Sequence, residues 1–118
     1  MTKKTNEYYL KNREKAIERQ MQRYKELSSI FNEWKKGLKC SVCGETDHNC
    51  LDFHHVMPEE KELNIPRAVA RGSKTVISEL KKCVVVCANC HRKVHAYNIP
   101  VQLDESLSKS FEKSLDLN

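Results

Sequence analysis

The sequence is poor in aromatic residues, at 7% of its 118 positions, and heavily charged, at 31%. A chain so polar forms a small core, and a domain built on it needs a staple. It also lacks any apolar run approaching the length of a membrane span, which excludes a transmembrane helix. No apolar stretch follows the basic start Met1-Thr2-Lys3-Lys4-Thr5, so nothing there reads as a secretory leader. Internal repeats and low-complexity tracts are missing as well. The expectation is a protein of a reducing cytoplasm, where disulfides are rare. There, the six cysteines read as metal ligands or redox groups.

The net charge of +5 is unevenly spread. Residues 1–39 carry eleven Lys/Arg against five acids, residues 40–99 eight against seven, and residues 100–118 two against four. This divides the chain into a basic N-terminal segment (1–39), a central domain (40–99) and an acidic tail (100–118). In the first, Leu10, Ile17, Met21, Tyr24, Phe31, Trp34 and Leu38 recur at helical steps, which predicts one long helix over about residues 6–36. Asn6 is its expected cap and Gly37 its stop. The other face carries Lys11, Arg13, Lys15, Arg19, Arg23 and Lys25. Such a face is either solvated, with Glu14, Glu18 and Glu26 offsetting part of the charge, or laid along nucleic-acid phosphates. Its apolar positions are too sparse for a membrane-surface helix.

The central part holds every cysteine and every histidine. Leu51 to Val56 alternates and predicts a strand ended by Pro58. Asn64-Ile65-Pro66 predicts a helix cap with proline in the first turn. Ser73 is the expected cap of a short helix through Lys81, with Val76, Ile77 and Leu80 inward. Cys83-Val84-Val85-Val86 predicts a buried strand, and Ala88 to about Tyr97 a helix stopped by Asn98-Ile99-Pro100. In the tail, Leu103, Leu107, Phe111 and Leu115 form a four-residue stripe that predicts a helix docked on the body.

Cys40-x2-Cys43 and Cys87-x2-Cys90 are two matched knuckles. Zinc takes four soft ligands in a tetrahedron, and these pairs supply them. Gly44 suits the tight turn after the first knuckle. One ion would tie the start of the domain to its last helix and contribute folding energy that the small core lacks. A redox motif needs only one pair. Cys50 and Cys83, without partners, read as buried small hydrophobes.

A second constellation accompanies the staple. His54 and His55 are neighbours on the first strand and point to opposite faces. His91 and His95 are four apart on the last helix and share a face. The staple brings that helix beside the strand, so His54, His91 and His95 converge on a second candidate metal site, and Asp52 is a candidate to orient a histidine. The alternative is a single site of Cys87, Cys90, His91 and His95. It has poor geometry, since His91 directly follows a knuckle cysteine, and it leaves Cys40 and Cys43 idle.

Cys40-x2-Cys43, Leu51-Asp52-Phe53-His54-His55 and Lys82-Cys83-Val84-Val85-Val86-Cys87-Ala88-Asn89-Cys90-His91-x3-His95 together resemble the HNH endonuclease family. The zinc-knuckle members common in bacteriophages and mobile introns are the most similar. The resemblance spans residues 40–97, about half of the chain. It implies an α+β fold, a small ββα-metal finger stapled by a four-cysteine zinc site, here with a long N-terminal helix and a short helical tail. It implies that His55 is the general base, that His54 and His91 hold the catalytic metal with His95 as a third ligand, and that Cys40, Cys43, Cys87 and Cys90 hold structural Zn2+. It further implies a DNA substrate and a bacterial host cell, the chain being phage-encoded. The catalytic ion would be Mg2+, Mn2+ or Ni2+, and imidazole ligands favour the latter two. At the position of the family's middle asparagine, to which the resemblance gives the role of orienting the base histidine, stands Lys82, a candidate to touch the scissile phosphate. Arg92 and Lys93 would bind flanking phosphates or form a solvated face, and Lys11, Arg19 and Arg23 would follow the backbone. The long helix also permits a homodimer. The competing expectation is a non-catalytic zinc module that binds DNA or a packaging protein. A third is a thiol redox protein.

Overall fold

The computed structural model describes residues 3–116. Met1 and Thr2 of the basic start, and Leu117 and Asn118 of the tail, lie outside them. No proline occurs before Pro58, and one helix, α1, runs from Lys3 to Lys35. Asn6, expected as its cap, lies inside it, because Lys3, Lys4 and Thr5 contain nothing that breaks a helix. Gly37 follows the end as expected, its N–H donating to the Trp34 carbonyl at 3.1 Å.

Then come strand β1 (Leu51–His55), helices α2 (Ile65–Arg71) and α3 (Ser73–Leu80), strand β2 (Cys83–Cys87), and helices α4 (Ala88–Tyr97) and α5 (Glu105–Asp116). Single 3-10 turns at His48–Cys50 and Pro58–Glu60 precede and follow β1. The described residues thus form an α+β fold of five helices and one antiparallel pair of strands. The register sets Leu51 opposite Cys87, His54 opposite Val84 and His55 opposite Cys83.

Local chemistry accounts for the helix boundaries. Asn64 caps α2, its side-chain oxygen accepting from the Arg67 N–H at 3.0 Å, with Pro66 in the first turn. α3 departs from expectation at its start: Gly72 is the cap and Ser73 the first helical residue. The φ of 129° at Gly72 turns the chain from α2 into α3, a conformation that only glycine adopts readily. Asn98 ends α4 in the left-handed region, at φ 51°, its N–H donating to the Val94 carbonyl.

The core draws on all parts of the chain. Phe31 and Trp34 of α1, Phe53 of β1 and Phe111 of α5 form one aromatic cluster with ring centroids 5.0–6.0 Å apart. These are all three phenylalanines and the single tryptophan. Trp34 Nε1 also donates to Ser110 Oγ at 2.9 Å, so the last turns of α1 are fixed to α5. Every residue of β2 is buried. Leu107 and Phe111 of the tail stripe are buried and Leu115 partly so, whereas Leu103 precedes the helix and is exposed. The α1 stripe is covered only in its last third: Leu10, Ile17, Met21 and Tyr24 are exposed. Among the described residues, those of α1 from Asn6 to Glu26 are all exposed, in a molecule whose longest dimension is 63 Å.

Candidate functional site

The first knuckle is stitched to β2. Ser41 donates to the Val85 carbonyl through both its N–H, at 2.9 Å, and its hydroxyl, at 2.8 Å. Gly44, at φ 81°, closes the turn by donating to the Cys40 carbonyl. The second knuckle begins at the end of β2, where Cys87 caps α4 by accepting from the Cys90 N–H. The sulfurs of Cys40, Cys43, Cys87 and Cys90 consequently lie within 4.8 Å of one another, with Cys43 and Cys87 3.6 Å apart. Tetrahedral ligands at a zinc–sulfur distance of about 2.3 Å stand about 3.8 Å from each other, so the set fits such an ion. The thiol chemistry agrees. Burial pushes Cys40 up, but N–H donors of Cys43, Cys87 and Val42 outweigh it and hold it at about 6. Burial and the neighbouring sulfurs push Cys90 up to about 12. Without a cation, thiols so close cannot all ionise. This four-cysteine cluster is compatible with a metal such as zinc.

Cys83 is buried as expected, and burial pushes its thiol up to about 12. Cys50 is not: it ends the 3-10 turn before β1 and is exposed, because the inward alternation begins only at Leu51.

The histidines form a separate group. On β1, Asp52 and His54 share one face, and α4 lies against it. Ligand atoms of His54, His91 and His95 fall within 4.8 Å of one another. Their ring centroids are 4.8–5.1 Å apart, and His91 Nε2 lies 3.1 Å from His95 Nε2. Asp52 Oδ2 is 3.2 Å from His91 Nδ1. A carboxylate there holds the proton on Nδ1 and leaves Nε2 with a lone pair facing His95. Burial pushes the pKa of His54 down, and the neighbouring histidines add to it, favouring the neutral form that a ligand requires. His91 and His95 therefore group with His54, not with Cys87 and Cys90, and two distinct clusters result.

His55 faces the other side of the strand and is 7% exposed. Its Nε2 lies 3.2 Å from Oε1 of Glu79, a carboxylate on α3 that is itself only 2% exposed. The same Oε1 accepts from the N–H groups of Glu62, at 3.2 Å, and Leu63, at 3.1 Å, and Oε2 accepts from Lys82 Nζ at 2.7 Å. Burial alone would raise the Glu79 pKa, but these donors, Lys82 foremost, bring it down to about 2. Burial pushes His55 down more than Glu79 lifts it. Sequence reasoning missed Glu79. Its signal was an acid set within the apolar face Val76-Ile77-x2-Leu80, where a solvated side chain would not be placed.

The basic candidates lie in three places. Lys82 turns inward to Glu79. Arg92 and Lys93 are exposed on α4, beside His91. Lys11 is exposed on the uncovered part of α1, and Arg19 and Arg23 line a groove between α1 and the α2–α3 corner together with Arg71 and Tyr24.

No protein-family model matches the chain, and no curated protein or solved structure matches it. Among the described residues no helix is long and apolar enough to cross a membrane.

Proposed function

We propose that this chain is a zinc-stapled, metal-dependent endonuclease of the HNH type that hydrolyses DNA phosphodiester bonds, with His55 as general base. The observation that carries the reading is the convergence of His54, His91 and His95 from a strand and a helix, with His55 the strand residue next to His54. A purely structural module needs the four cysteines but has no use for three histidine ligands in a second group.

In this reading Cys40, Cys43, Cys87 and Cys90 hold Zn2+, which fixes α4 against β1. His54, His91 and His95 hold the catalytic divalent ion, and three imidazoles suit Mn2+ or Ni2+ better than Mg2+. When bound, that ion supplies charge neutralisation at the scissile phosphate and stabilises the leaving 3′-oxygen. His55, neutral near pH 7, takes the proton from the attacking water. The resemblance implies 5′-phosphate and 3′-hydroxyl products. In this reading Arg92 and Lys93, exposed on α4 beside His91, bind phosphates flanking the site. Lys11, Arg19 and Arg23 contact backbone phosphates in the same reading, with affinity largely independent of sequence.

The test is incubation of the zinc-retaining protein with supercoiled plasmid and Mn2+, Ni2+ or Mg2+, beside His55→Ala. Nicking or linearisation by the wild type, absent in the variant, is expected. A folded wild type that shifts the plasmid on a gel yet leaves it intact with every metal would sink the enzyme reading and favour a DNA-binding zinc module.

A further inference from the structure

We propose that Glu79, held in place by Lys82, is the positioning residue for His55, filling the role that the family resemblance gives to an asparagine at position 82. The inference rests on the nuclease reading above and names the device that prepares its base.

The geometry is fully specified. Glu79 Oε1 is fixed by the N–H groups of Glu62 and Leu63, and Oε2 by the Lys82 ammonium at 2.7 Å. The same Oε1 also meets His55 Nε2 at 3.2 Å, a third donor sharing its lone pairs. A carboxylate accepts and does not donate, so Nε2 must carry the imidazole proton. Nδ1 is then the nitrogen with a free lone pair. A buried carboxylate is costly unless paired and hydrogen-bonded, and here every donor needed is supplied. Lys82 acts on both sides of the pair. Its side chain holds Glu79, and its carbonyl accepts from the N–H of Val56, directly after His55, at 3.0 Å. Lysine at this position thus orients the base through Glu79, which an asparagine would do by its own amide.

Water gives one proton to His55 Nδ1 as its oxygen forms a bond to phosphorus. The bond from phosphorus to the 3′-oxygen breaks, and that oxygen takes a proton from solvent.

The experiment reads two quantities on the full-length, zinc-retaining chain: the His55 tautomer, by nitrogen NMR of the imidazole without catalytic metal, and plasmid cleavage with Mn2+. Wild type, Glu79→Gln, Glu79→Ala and Lys82→Met are compared, with circular dichroism as the folding control. The wild type is expected to hold the Nε2–H tautomer, and Glu79→Ala to mix the two. Cleavage by Glu79→Ala should fall about 10²–10⁴-fold in kcat, the range of general-base catalysis, with KM unchanged. Glu79→Gln, which keeps an acceptor but releases Lys82, and Lys82→Met should each lose roughly tenfold in kcat, a smaller share of the same range. These two carry the test if Glu79→Ala does not fold. A wild type with the proton on Nδ1, or folded variants that cut with unchanged kcat, would overturn the proposal and leave the nuclease reading standing. A wild type that never cuts would overturn both.

Discussion

Replacing Asp52 with alanine is expected to weaken metal binding at the histidine cluster about tenfold without disturbing the fold. Asp52 Oδ2 lies 3.2 Å from His91 Nδ1, and it is the contact that fixes which His91 nitrogen is left for an ion. Carboxylates that hold a ligand histidine in this way are worth about 10–100-fold in metal affinity. The Asp52 side chain is 48% exposed, which screens the interaction and selects the lower end of that range, about 1.4 kcal/mol. Calorimetric titration of the zinc-retaining protein with Ni2+ measures it, with His91→Ala as the floor where a ligand is lost outright. Asp52→Asn, which keeps an acceptor without the charge, should fall between wild type and Asp52→Ala. An Asp52→Ala protein that binds Ni2+ within twofold of wild type would refute the orienting role. If His91→Ala also binds like wild type, the cluster is not the site.

Other outcomes follow from the same geometry. Stripping the four-cysteine site with a strong chelator, or changing Cys40 to serine, should unfold the central domain, since structural zinc contributes about 10–16 kcal/mol in comparable small sites. Loss of the far-ultraviolet helical signal on chelation, and its return with Zn2+, checks this. Phe111→Ala should cost about 3–5 kcal/mol in urea denaturation, because the ring is fully buried against Phe31 and Trp34 and the site has little means of collapsing. Glu79 makes stability fall in acid. Its pKa is depressed from 4.5 to about 2, so its contribution is complete above 4.5 and is lost as pH drops towards 2. The Glu79→Gln protein should start less stable and show a shallower decline through that window, which acid titrations followed by circular dichroism resolve.

Much of the central architecture was legible in the chain because it is encoded locally. Paired C-x2-C spacings require both sulfurs of a knuckle to face one point. A proline-bounded alternating run and a β-branched run each settle into strands through short-range sterics, and histidines four apart must share a helix face. Apolar periodicity likewise announced α1, α3 and α5. What escaped was set by how a segment meets its neighbours or by contacts between distant segments. Asn6 has the chemistry of a cap, yet the helix simply continues through it, since capping is a preference that a helix-compatible neighbour overrides. Cys50 reads as buried by residue type, but its exposure depends on where the 3-10 turn hands over to β1. The α1 stripe is half unfulfilled because periodicity reports which face is apolar and not whether another element arrives to cover it.

For the site, residue types and spacing alone determined the candidate ligands: four cysteines, three converging histidines and a fourth beside them. Spacing also favoured the grouping of His91 and His95 with His54 over the knuckle cysteines; the tertiary structure decided between the two and fixed the contacts around them. It set His91 and His95 with His54 and not with the knuckle cysteines, placed Asp52 on His91, and brought Glu79 of α3 to His55 with Lys82 on its other oxygen. The physical reason is that a ligand set is limited by local spacing, whereas the hydrogen bonds that fix a proton on one ring nitrogen depend on which helix packs against which face of the strand.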